Sequence, residues 1–144
     1  MKPLDHRTLF SIFEAGDEEI YKEHGIADTL NNPFVLMGMV LRGVENYHIM
    51  DIMYTKSYPE EYKKVRDTVR YKFMNKLYGY LLRINSNSFE TVYTIGDSFD
   101  IVAVETCLNF LLRFYQDIEE YEKCAIIKRY IDLLTEKQIE KLAD

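Results

Sequence analysis

The sequence predicts an all-α fold: one domain over residues 1–144, an irregular bundle of five to seven helices closed by a C-terminal helical hairpin. Three observations carry this. Residues 58–84 repeat apolar side chains in steps of three and four over about seven turns, the spacing of one helix face. Residues 34–54 and 99–116 are apolar on nearly every side, which marks helices at the centre of a fold rather than its edge. Only 3 prolines occur in 144 residues, so few positions forbid a helix.

In order, Asp5 can cap a short helix over residues 8–14 that buries Leu9, Phe10, Ile12 and Phe13 and breaks at Gly16. A second short helix is expected over residues 18–23, ending at Gly25. Asn32-Pro33 starts the next element, because a residue before proline avoids the helical region and proline itself suits a first turn. That element, residues 34–54, is placed at the centre; Gly38 and Gly43 within it point to a kink or to close approach of a neighbour. Ser57-Tyr-Pro-Glu60 reads as a capping box opening the long amphipathic helix, whose buried edge is Tyr62, Val65, Val69, Phe73, Leu77, Tyr80 or Leu81, and Ile84.

Residues 85–98 are a polar break. Thr91 to Ile95 have β character, but a lone strand has nothing to pair with, so a short extended stretch, a loop and a single helical turn all remain open. Asp97 or Ser98 is expected to cap the helix that runs to about Gln116. After a tight break at Asp117 to Glu119 comes a helix over residues 120–134 with Tyr121, Cys124, Ile127, Ile131 and Leu134 on one stripe. Thr135-Glu-Lys-Gln138 repeats the capping-box pattern and predicts a separate last helix.

Composition narrows the classes. Apolar residues make up 47% and charged residues 29%, a balance that can build a core without disulfides or metals. Two widely separated cysteines, Cys107 and Cys124, lie in apolar helical stretches and read as buried thiols, which suits a reduced, cytoplasmic setting. No stretch approaches the roughly 20 apolar residues of a membrane span, and none has the form of a secretory leader. A bacterial or phage protein is the expected type.

Charge is sorted along the chain. Residues 1–55 hold 4 Lys/Arg against 9 Asp/Glu, residues 56–83 hold 8 against 3, and residues 84–144 hold 6 against 12. The long amphipathic helix therefore gathers the positive charge of an acidic protein, with Lys63, Arg66, Arg70, Lys72, Lys76 and Arg83 outside its apolar edge and Tyr71 and Tyr78 between them. Lys63, Arg66, Arg70, Tyr71, Lys76 and Tyr78 are the candidate contacts. They suit an acidic protein face, including that of a second copy in a homo-oligomer that loosens with salt, and less well a nucleic acid or other polyanion, because the chain as a whole is acidic. The idea requires that carboxylates of the same chain leave these cations unneutralised.

Other motifs fall short of chemistry. Glu45-Asn-Tyr-His48 has the Glu-x-x-His spacing of di-iron helical bundles, which need two such pairs and two further glutamates; neither His6 nor His24 completes a second pair. Thr94-Ile-Gly-Asp-Ser98 resembles the nucleophile block of the Gly-Asp-Ser hydrolases, yet no histidine follows Ser98 to serve as its base. Leu111, Tyr115, Tyr121 and Cys124 resemble one tetratricopeptide unit over about 24 residues. The pattern departs at Lys128, and no second copy is found where about three are needed. Asp17-Glu-Glu19 and Glu119-Glu-Tyr-Glu122 lack the spacing of a calcium loop and suit helix N-termini. The expectation is a protein without catalytic residues, metal or cofactor: a non-enzymatic adaptor, inhibitor or assembly factor.

Overall fold

A computed structural model describes residues 32–85 and 89–143, and the described residues form five α-helices with no strand. These are α1 (Pro33–Ser57), α2 (Pro59–Asn85), α3 (Phe89–Ser98), α4 (Ile101–Asp117) and α5 (Tyr121–Ala143). The two short helices expected over residues 8–14 and 18–23, and the acidic run at residues 17–19, lie outside the described residues.

α1 starts where the sequence demands. Asn32 is extended, at φ −75° and ψ 124°, and its side chain accepts a 2.9 Å hydrogen bond from the Phe34 amide ahead of Pro33 in the first turn. Its end departs from expectation. Ser57 is the last residue of α1 rather than the cap of α2, and Tyr58 alone separates the two helices. Pro59 has no N–H and crowds the preceding turn, so one residue forced out of the helical region is enough to reverse the chain. The Tyr58 amide still donates to the Tyr54 carbonyl at 2.9 Å, and its own carbonyl accepts from Tyr62 at 2.9 Å.

α1 and α2 then pack antiparallel along their lengths: Asp51 meets Arg66, Tyr47 meets Arg70, and Gly43 lies against Leu77. At Gly43 the helices are so close that a Cβ there would overlap the Leu77 side chain, whereas Gly38 faces open space. The predicted edge of α2 is inside: Tyr62, Val69, Phe73, Leu77, Tyr80, Leu81 and Ile84 are buried, with Val65 packed at the margin.

Residues 89–98 form a helix despite their β character. Val92, Ile95 and Gly96 recur at helical spacing and are buried, so packing overrides local preference. The Thr94 hydroxyl donates to the Glu90 carbonyl at 2.8 Å and the Ser98 hydroxyl to Thr94 at 3.5 Å, the back-bonding of hydroxyls inside a helix. Ser98 and Asp97 thus end α3, and the cap of α4 is Asp100, whose carboxylate accepts from the Val102 amide at 3.0 Å.

The break after α4 falls where expected. Glu119 takes a left-handed conformation at φ 61°, its amide bonds the Gln116 carbonyl and that of Glu120 the Tyr115 carbonyl. This pair of bonds closes the helix in a Schellman turn. α5 packs on α4, with the Cys124 thiol directed at the Leu112 carbonyl. Two expectations for α5 are corrected. Tyr121 is 65% exposed and off the buried stripe, while Tyr130 is fully inside it. The helix also runs without interruption past Thr135, whose hydroxyl donates back to the Ile131 carbonyl instead of capping a new helix. One hydrophobic cluster draws residues from all five helices.

Candidate interaction surface

The six residues singled out on the basic helix meet different fates. Lys63 is exposed and Tyr71 is 43% exposed. Arg66 grips Asp51 of α1 through two hydrogen bonds, Nε to Oδ1 at 2.9 Å and Nη2 to Oδ2 at 2.8 Å, and the Tyr62 hydroxyl adds a third at 2.8 Å. Arg70 donates from Nε to the Tyr47 hydroxyl at 2.9 Å. Lys76 is half-buried with its ammonium nitrogen out of solvent. Tyr78, expected between the outward cations, is only 7% exposed. Of the four cations, Arg66 is thus neutralised by α1 and Arg70 is held against a phenol of α1 while keeping its charge, so the outward positive field of α2 is reduced at Arg66.

The polar seam has its own electrostatics. Burial alone raises the Asp51 pKa, but the hydrogen bonds from Arg66 and Tyr62 and the two nearby guanidinium charges outweigh it and hold the carboxyl below its ordinary range. Burial raises the Tyr47 hydroxyl, partly opposed by Arg70, so Tyr47 stays a neutral acceptor for that arginine. Asp51 and Arg66 are 15 residues apart in sequence and meet only because α1 and α2 pair. No sequence pattern announces the contact.

A second polar knot ties α5 to α2 and α4. The Lys123 ammonium lies 5.0, 5.5 and 6.0 Å from the ring centroids of Tyr115, Tyr78 and Tyr71, 3.1 Å from Glu120 and 3.2 Å from the Asn75 oxygen. That oxygen also accepts from the Tyr115 hydroxyl at 2.7 Å. Tyr71 and Tyr78 therefore embrace a cation of their own chain.

The ring of His48 rests on Phe110 at 4.6 Å between centroids, and among the described residues no three metal-ligating side chains come together. Cys107 is buried with its thiol pushed up to about 12 by desolvation, and Cys124 is buried as well. Among the described residues no helix is long and apolar enough to cross a membrane.

What the sequence did not signal is an apolar ridge on α1. Ile49, Ile52 and Met53 are 58%, 57% and 58% exposed, adjacent on one face of a helix that reads as apolar all round. The opposite side of the same turns carries Tyr47 and Met50 into the core. Scattered apolar side chains on a surface need no explanation, but three side by side on a helix anchored by the Asp51 seam form a patch. Comparison with family models, curated proteins and solved structures returns no match.

Proposed function

We propose that this protein is a non-enzymatic interaction factor, an adaptor, inhibitor or assembly protein of bacterial or phage type, and that the Ile49–Ile52–Met53 ridge is its contact surface. The exposure of that ridge is the observation that carries the reading. A helix that has already filled its inner face has no folding reason to leave three large apolar side chains in water, and burying them against a partner releases that unfavourable hydration. Lys63 and Tyr71 of α2 are also exposed, which suits a separate contact with a partner that has an acidic face. The antiparallel packing of α4 and α5 supports a C-terminal helical hairpin within a single-domain bundle, and two free thiols suit a reduced compartment.

The polyanion alternative is the weaker reading, because Asp51 neutralises Arg66, one of its four cations. The test is capture by the full chain and by Ile52→Asp, with circular dichroism to confirm equal folding, alongside a single-stranded oligonucleotide titration at low salt. A specific protein retained by the parent and lost from Ile52→Asp is the expected result. Equal retention by both, or oligonucleotide binding that weakens steeply with salt, overturns the reading.

A further inference from the structure

The ridge belongs to a longer strip. Glu45, His48, Ile49, Ile52, Met53 and Lys56 are all exposed, and their steps of three, one, three, one and three place them on one face of α1, about 140° wide at 3.6 residues per turn. Glu45 and Lys56 flank the apolar side chains from either side, and exposed Arg42 follows on the same face one turn beyond Glu45.

Such a strip is complementary to itself when reversed. A twofold axis crossing α1 between Met50 and Asp51 sets Glu45 of one copy against Lys56 of a second, since the two lie equally far from the axis on opposite sides. The same operation brings Ile49 beside Ile52 of the second copy, and each pairing occurs twice. Ile49 and Ile52 lean to opposite sides of the strip, so the four isoleucines interdigitate, while His48 and Met53 of the second copy border the same layer from its two edges. A parallel arrangement sets Glu45 against Glu45 and Lys56 against Lys56, which like-charge repulsion disfavours.

We infer that a second copy of this chain occupies the ridge in antiparallel register, an inference that rests on the interaction reading above and names its first partner. The Asp51–Arg66 seam holds this half of α1 to α2, so the face is presented on an anchored helix. Six side chains on one helix bury less than the roughly 1,200 Å² of a standard interface, so the dimer is weak and concentration-dependent.

Sedimentation velocity of the full chain between about 1 μM and 1 mM decides it. The weight-average mass is expected to rise from 17.2 kDa toward twice that value. Ile52→Asp shifts the midpoint by about 100-fold or more, because a carboxylate must then be buried at the centre of the contact. Glu45→Lys and Lys56→Glu each weaken association about threefold to thirtyfold, and combining them restores it to within about threefold of the parent. The three substituted positions are on the surface, and matched thermal melts are the check that folding is unchanged. A constant monomer, a dimer indifferent to Ile52→Asp, or a double reversal that fails to recover overturns the inference. A constant monomer whose Ile52→Asp variant still loses a captured protein removes the dimer and leaves the interaction reading standing.

Discussion

Asp51→Asn probes the seam that joins α1 to α2. The carboxylate accepts three hydrogen bonds, two from Arg66 and one from Tyr62, and a net contribution near 1.5–3 kcal/mol is usual for bonds to a charged group. Arg66 is 43% exposed, so water recovers part of its hydration when the partner charge goes, and the value belongs at the low end. Asparagine keeps one acceptor oxygen. The expected loss is about 1 kcal/mol at pH 7, or about 3 °C in Tm for a chain of this size, against about 2 kcal/mol for Asp51→Ala.

The acid limb supplies the sharper check. Because the folded pKa of Asp51 is depressed, its contribution is complete above the unfolded carboxyl value near ~3.9 and is lost as pH falls through the lower folded value. Asparagine does not titrate, so the gap between parent and Asp51→Asn should narrow below about pH 4. Urea denaturation of both proteins at pH 7, 5 and 3.5 measures it. A gap under about 0.3 kcal/mol at pH 7, or one that stays constant into acid, rules this ion pair out as a net contributor to stability.

Three further outcomes follow from packing and backbone geometry. Gly38→Ala fills open space in a helix interior and should stabilise by up to about 1 kcal/mol, while Gly43→Ala drives its methyl into the buried Leu77 side chain and forces it to shift within the core, for a net loss of about 1 kcal/mol; parallel thermal melts separate the two. Glu119→Gly relieves a left-handed residue at the end of α4 and removes an acid from a helix C-terminus, so a gain of about 0.5–1 kcal/mol in chemical denaturation is expected. Tyr130→Phe deletes the 2.6 Å hydrogen bond from its hydroxyl to the Leu81 carbonyl and should lower stability by about 1 kcal/mol, with faster amide exchange at the end of α2 as an independent readout.

Local rules, legible in the order of residues, account for most of the helix boundaries. Asn32-Pro33 sets the start of α1, Pro59 forces the reversal into α2, the step of three and four from Tyr62 to Ile84 names the buried face of α2, and the break near Glu119 ends α4, because proline geometry, capping and helical periodicity act within a few residues. Where burial and charge finally lie depends instead on how the helices pack against one another. Residues 89–98 became helix once Val92 and Ile95 had a core to enter, and α5 ran through Thr135 because its hydroxyl found the Ile131 carbonyl. Arg66 lost its outward charge to an aspartate on another helix, and Ile49, Ile52 and Met53 stayed in water on a helix that looked central from every side. Those outcomes depend on which helices meet, and neither pairing nor exposure is written in the spacing of any one of them.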